Sequence, residues 1–397
     1  MSESKKLIPK RRFKEFEGAQ MWEKLRLGDH AIIKGRLGWK SLKQEEYVDQ
    51  GPSMIAGKHI TEGIINWNKV DHIPQWRYDE SPEIMLKNGD IIFSKDGSLG
   101  NPALITNLNS LATINSTMML VRLKKNISSI FFYQIMLSSQ FKNLIRLKVS
   151  GSSIPHLFQA DMTEFKFNTP EVNEQIQIGE FLKKLDNLIN TQQKKLEKAK
   201  TLKSAYLTEM FPDDNESNPK RRFKGIKEDW VPYKLKDVIE SEFKGKTKAI
   251  MLGNKSIYLD ANYLNGGEIS YVNASKDVNF NDVLILWDGS LAGTVYHGFE
   301  GSLGSTLKAY RPKESGQFLY QYLKKNQQKI FDNYRTPNIP HVVKTFTEEF
   351  LVVNPHIKEQ TKIGNFFKLL DNKIALEQKK LDKLKHIKQA YLNEMFV

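Results

Sequence analysis

Cysteine is missing altogether from the 397 residues. That excludes disulfides, thiolate metal sites and a cysteine nucleophile, and it suits a reducing cytoplasm. No apolar run reaches the length that crosses a bilayer, so no membrane partner is expected. The opening "MSESKKLIPKRRFKEF" has no apolar centre to serve as a secretory leader. Catalytic signatures are missing too. The "GKT" at 245–247 lacks the glycine a phosphate-binding loop needs at position 240, where Glu240 stands. The eight histidines show no HExxH spacing, and "PDD" at 212–214 is followed by no Glu-x-Lys. "NPAL" and "NPH" are not the Asn/Asp-Pro-Pro-aromatic tetrapeptide of amino-methyltransferases, and no Gly-rich cofactor loop follows a strand. The "DGS" pair (Asp96 and Ser98, Asp288 and Ser290) reads as strand-end turn chemistry with no base beside it. His156 and His341, each after Ile-Pro, read as turn residues. The expectation is a chain without catalytic residues, metal or cofactor of its own.

What is present is positive charge and repetition. The formal charge is +14 with a pI near 9.4, which favours a polyanion, nucleic acid first, over a merely solvated lysine surface. "AYLTEMF" at 205–211 returns as "AYLNEMF" at 390–396. At that shift of 185 positions, residues 154–211 lie over 339–396 without a gap and about half are identical. "PKRRFK" at 9–14 returns at 219–224, each time followed by Trp and then Leu (Trp22 and Leu27, Trp230 and Leu235). "GDIIFSKDGSLG" at 89–100 echoes weakly in "NDVLILWDGSLAG" at 281–293. Between these anchors the halves diverge. The two halves become equivalent if residue 397 is joined to residue 1. The chain is therefore pseudo-cyclic, with its N-terminal arm expected near the end of the C-terminal helix.

The matched segments read as long helices. From Val172 to Met210 there is no proline, and Gly179 is the single glycine. Apolar residues recur at Leu182, Leu185, Ile189, Leu196, Ala199, Tyr206 and Met210, and again at Phe367, Leu370, Ile374, Leu381, Leu384, Tyr391 and Met395. Steps of three, four and seven make a narrow, coiled-coil-like stripe. Glu174 and Glu359 fall in the first turns, after Pro170 and Pro355. About 38 residues at ~1.5 Å each give a rod of roughly 55–60 Å. Two such stripes most economically bury each other, antiparallel. The polar faces are rich in lysine and read mainly as solvated.

The diverged stretches, 14–153 and 225–338, read as mixed α/β regions with short strands at "GDIIFS", "TMMLVRL", "DVLILWDG" and "GTVYHG". A single helix is expected over 128–147 and another over 316–334, each leading into a polar loop, 148–156 and 335–341. Such loops suit contact with sugar-phosphate or base edges, and equally suit plain connections. The DNA-contacting candidates are Lys34, Arg36, Lys40, Lys43, Lys95, Ser98, Lys148, Ser150, Ser152, Ser153 and His156, then Lys244, Lys246, Lys248, Ser290, Arg335, Thr336, Asn338 and His341. The layout is 1–153 as a first recognition region, 154–212 as a matched helical region, 213–338 as a second recognition region and 339–397 as the second matched region.

With that order, the chain resembles the specificity subunit of type I restriction–modification systems over essentially its full length. The resemblance rests on a doubled signature: Pro170, Glu174, Gln175, Ile178, Gly179, Phe181, Leu185, Asp186 and Ile189, then Pro355, Glu359, Gln360, Ile363, Gly364, Phe366, Leu370, Asp371 and Ile374. It implies an α+β fold of two mixed α/β target-recognition domains joined by an antiparallel helix pair, with pseudo-two-fold symmetry. Each domain would read half of a bipartite, asymmetric site on double-stranded DNA, with half-sites about one helical turn apart, ~34–36 Å. Two methyltransferase subunits would dock on the helices, and restriction–translocase subunits would join through them. S-adenosylmethionine, ATP and Mg²⁺ would serve those partners. The rival reading is a coiled-coil scaffold that never touches DNA, and it leaves the charge and the two divergent regions without a purpose.

Overall fold

The computed structural model describes residues 7–37, 42–150, 155–214, 216–226 and 228–397. The chain folds as two compact units, one made of residues 1–192 with 380–397 and the other of residues 193–379. Among the described residues, no helix is long and apolar enough to cross a membrane.

The first unit is laid out along the chain as strands β1 (Glu23–Arg26), β2 (Ala31–Gly35), β3 (Val48–Ile55), β4 (Asp71–His72), β5 (Ile91–Ser94), β6 (Gly100–Leu104), β7 (Ala112–Ile114) and β8 (Met118–Leu123). Helices α1 (Ser129–Leu137) and α2 (Ser139–Ser150), strand β9 (Lys166–Thr169) and the long helix α3 (Val172–Glu209) follow. An antiparallel sheet of order β2-β8-β5-β6 forms its centre. Alternation along its strands divides the core in two, because successive strand residues point to opposite faces. Ile91, Phe93, Met119 and Val121 face the helical layer with Phe131 and Leu182. Ile92, Met118 and Leu120 face a smaller β layer. That layer is built on β3, which pairs antiparallel with β4 and parallel with β7.

The second unit repeats this plan with another sequence. Its strands are β10 (Val231–Lys234), β11 (Ile239–Lys244), β12 (Leu252–Leu259), β13 (Tyr271–Val272), β14 (Val283–Leu286), β15 (Val295–His297), β16 (Ser302–Leu303) and β17 (Leu307–Pro312). Then come α4 (Gly316–Lys325), α5 (Gln327–Asn333), β18 (Leu351–Asn354) and the long helix α6 (Ile357–Met395). The central order is β11-β17-β14-β15, and β12 pairs antiparallel with β13 and parallel with β16. Val283 and Ile285 face one core, Leu284 and Leu286 the other. Each single helix expected after the sheet is in fact two. Ser138 breaks the first by leaving helical geometry and donating its hydroxyl to the Ile135 carbonyl at 2.7 Å; Asn326 breaks the second.

Within each unit, segments of the two long helices run antiparallel. In the first, Phe181 meets Tyr391 edge-on at 4.8 Å, and Lys388 bonds Asp186. In the second, Tyr206 meets Phe366 at 4.9 Å, and Lys203 bonds Asp371 at 2.5 Å. Along the stripes, Leu182, Leu196, Met210, Phe367, Leu381 and Met395 are buried, while Leu185, Ile189, Tyr206, Leu370, Ile374, Leu384 and Tyr391 are half-buried. The final Phe of each repeated word is also buried. Phe396 packs on Phe131 at 5.4 Å, and Phe211 packs on Phe318 at 5.5 Å.

Candidate nucleic-acid interface

The residues that the two halves share are engaged in holding the frame. Glu174 is 0% exposed and takes a two-pronged hydrogen bond from Arg12 at 2.7 and 2.6 Å. Glu359 is 1% exposed and takes the same from Arg222 at 3.0 and 2.7 Å, with Trp230 Nε1 donating at 3.0 Å. The carboxylates hold both guanidiniums above their ordinary pKa. Gln175 accepts from the Ser128 amide at 2.9 Å and donates to the Pro170 carbonyl, fixing the start of α1 against α3. Asp186 accepts from Gln134 at 2.8 Å and Asp371 from Gln321 at 2.7 Å, so the signature aspartates tie sheet-covering helices to the long ones. Gly179 is small for a reason: a Cβ there would lie 2.8 Å from the Phe131 amide nitrogen.

With the shared residues so engaged, the surface able to differ between the units lies in the diverged loops. They meet at one corner of each unit. In the first, β5 runs into the turn Lys95-Asp96-Gly97-Ser98, and the segment after α2 returns to it. Leu157 donates its amide to the Lys95 carbonyl at 2.9 Å, and Asp96 pairs with His156 both through the backbone and between carboxylate and Nδ1. In the second unit, Asp288 pairs with His341, and Gly289 donates to the Pro340 carbonyl at 2.9 Å. The 334–342 hairpin is closed by His341 Nδ1 against Thr336 Oγ1 at 3.0 Å, with the Arg335 guanidinium over the Phe331 ring at 4.5 Å. The reading that no base stands beside "DGS" is therefore corrected for the first unit; in the second, the His341 ring turns to Thr336 and the Ile339 carbonyl. His156 comes from about 60 residues away in the chain, a distance over which spacing carries no signal. The twin Ile-Pro-His echoes were the available clue.

Other candidates distribute unevenly. Lys244 reaches Asp288 at 2.7 Å, and Lys246 and Lys248 are exposed just beyond β11. Ser98, Ser290 and Asn338 are exposed, and Thr336 is half-buried. Lys34 is half-buried on β2, and Lys95 is half-buried beside Asp96 at 3.4 Å. Lys43 is exposed before β3. Lys148 and Ser150 belong to α2, not to a loop; Lys148 pairs with Asp161 at 2.7 Å, and the Ser150 hydroxyl donates to the Leu147 carbonyl. Arg36 is corrected outright. It is 3% exposed, its Nε donates to the Ile114 carbonyl at 3.2 Å, and burial lowers its pKa, so it faces the interior. Lys40, Ser152 and Ser153 lie outside the described residues. Lys308, which spacing did not single out, stands over the Trp287 ring at 4.5 Å.

Both halves of this arrangement match one family, the type I restriction modification DNA specificity domain, over residues 20–201 and 227–386. The chain belongs to that family. Among specificity subunits, it is 30% identical over 182 residues to that of the type I restriction enzyme MjaVIII of Methanocaldococcus jannaschii, a match spanning 43% of the chain and 43% of that relative. It is 23% identical over 365 residues, 84% of each chain, to the putative MjaX specificity subunit of the same organism. The crystal structure of the type I restriction–modification S subunit from M. genitalium has the same fold, with TM-score 0.71 and 18% identity over 98% of this chain and 99% of that one.

Proposed function

We propose that this chain is the DNA sequence-specificity subunit of a type I restriction–modification complex. Each unit reads one half of a bipartite site on double-stranded DNA. The carrying observation is one topology with two sets of loops: the same strand orders and the same Asp–His corner go with segments, such as 148–153 and 335–338, whose sequences differ. Equal frames with unequal loops suit an asymmetric site. The charge of +14 supplies the phosphate attraction that such reading needs. The chain recognises and does not catalyse. Two methyltransferase subunits dock on the long helices, restriction subunits join through that complex, and S-adenosylmethionine, ATP and Mg²⁺ are used by those partners. The place of action is the cytoplasm.

The test is binding of the full chain to duplex DNA across a salt series, then sequencing of methylated positions in cells carrying the complex. Binding that weakens steeply with salt, and one two-part methylated sequence, are the expected results. Salt-indifferent binding or no binding would return the scaffold reading.

A further inference from the structure

Among the described residues, the apolar tip of the second unit stands further into solvent than the apolar residues at the same place in the first, Leu37 at 48% and Val48 at 37% exposed. Between β11 and β12 the chain projects Ile250, Met251 and Leu252 into solvent; Ile250 is 84% exposed and Leu252 79%. The equivalent place in the first unit, ahead of β3, carries Gln44, Glu45 and Glu46 in a short helical turn. Leu252 and Val48 occupy matching positions, each pairing across to the short antiparallel neighbour before a register shift. An exposed cluster of three large apolar side chains is costly in water and marks a surface that is covered in use.

The mounting of this tip is stiff. Thr247 is buried, its hydroxyl 2.6 Å from that of Ser302, and Ser305 donates its amide to the Thr247 carbonyl at 3.0 Å. A Cβ on Gly245 would fall 2.1 Å from the Gly304 carbonyl oxygen, so strand and loop are in contact there. On the other side, Asn273 donates to the Met251 carbonyl at 2.8 Å, and a Cβ on Gly253 would meet the Asn273 backbone. The tip itself closes by Met251 donating to the Lys248 carbonyl at 3.0 Å.

Its surroundings say what covers it. Lys246, Lys248 and Lys255 are exposed, flank the tip on both sides and, among the described residues, form no ion pair. Two acidic residues of this unit are engaged, Asp288 by Lys244 at 2.7 Å and Glu242 by Lys308 at 2.8 Å. An apolar point ringed by unpaired lysines complements a polyanion with an apolar interior, which describes the base stack of a duplex between its phosphates. We propose that Ile250 and Leu252 form a wedge that presses into a base-pair step of the half-site read by the second unit, with Lys246, Lys248 and Lys255 on the flanking phosphates. The proposal rests on the DNA-reading function above. It adds that the half-site read by the second unit is recognised partly through how easily its step unstacks.

The experiment uses the full chain, without methyltransferase partners, and a duplex carrying the methylated site mapped in cells, with 2-aminopurine placed at successive positions of both halves. The wild type should raise fluorescence at one step of the half read by the second unit. Ile250→Ser with Leu252→Ser should abolish that rise and weaken binding roughly ten-fold or more, the scale of losing one buried aliphatic side chain. Ile250→Met with Leu252→Met should keep the rise, and because the tip is exposed neither pair should alter the circular dichroism spectrum. Binding with no fluorescence change at any position, or a serine pair that unstacks like the wild type, overturns the wedge and leaves DNA reading intact. Failure of the wild type to bind the duplex overturns both.

Discussion

The amide of Arg11 donates to the carbonyl of Glu394 at 2.9 Å, across 383 residues of chain. Arg221 makes the same bond to Glu209 at 2.8 Å across only 12. One contact is local in one half and end-to-end in the other, so the N-terminal arm completes the first unit as the linker completes the second. Joining residue 397 to residue 1 through a copy of "PDDNESN" and opening the chain between Asn215 and Glu216 should therefore leave the fold intact. Far-ultraviolet circular dichroism and the thermal midpoint measure this; a permutant that is unfolded or melts tens of degrees lower would contradict the closure.

The adjacent arginines should behave differently from Arg11 and Arg221. Arg12→Ala strands the fully buried Glu174 carboxylate, a loss of about 3 kcal/mol or more. Arg222→Ala should cost less, because Trp230 Nε1 still donates to Glu359 at 3.0 Å. Arg11→Ala and Arg221→Ala remove exposed pairs and should shift the denaturation midpoint little. Urea titrations of the four variants would test that ranking, which fails if Arg11→Ala is the most damaging.

Gly179 and Gly364 occupy the same place in the repeat but not the same space. A methyl at 179 meets the Phe131 backbone at 2.8 Å, so Gly179→Ala forces α1 and α3 apart, at about 1–3 kcal/mol. At 364 the nearest atom is the Gln317 Cβ at 3.2 Å, a contact that a shift of a few tenths of an ångström relieves. Gly364→Ala should be near neutral, since alanine is worth up to ~1 kcal/mol over glycine inside a helix. Equal thermal midpoints for the two variants would refute the distinction.

Burial, reinforced by repulsion from Lys368, pushes the His297 imidazole down to about 4. In the unfolded chain it titrates near 6.5. Between those values the unfolded state binds a proton that the folded state refuses. The second unit should thus keep its full stability above about pH 6.5 and lose roughly 2–3 kcal/mol as pH falls towards 4, the loss levelling off below that. His297→Gln should flatten this segment of the midpoint-against-pH curve; an unchanged slope would exclude His297 as its source.

Exchanging residues 225–338 for those of another family member should rewrite one half-site and leave the other. Sequencing of methylated positions reads this directly. A change in both halves would mean that the units do not read independently.

Much of this architecture was legible in the linear chain. The long helices announced themselves because their apolar stripe runs unbroken and recurs at a constant shift. The pseudo-cyclic order followed from where "PKRRFK" stands, and the Arg11–Glu394 bond agrees with it. Local breaks were not legible. Ser138 and Asn326 interrupt helices without a proline or glycine, through side-chain bonding and backbone angles that composition does not reveal. The burial of Arg36 was hidden as well, since a basic residue amid "KGRLGWKSLK" looks solvated until β7 supplies the Ile114 carbonyl.

Periodicity and repetition are properties of neighbours along a chain, and so helices, strand alternation and the doubled plan belong to the sequence. The pairing of Asp96 with His156, the engagement of Glu174 by Arg12 and the stiff mounting of Ile250 join residues with no regular spacing. Those relationships arise when distant segments are pressed together by core burial. That is why the frame could be read in advance, and the Asp96–His156 corner could not.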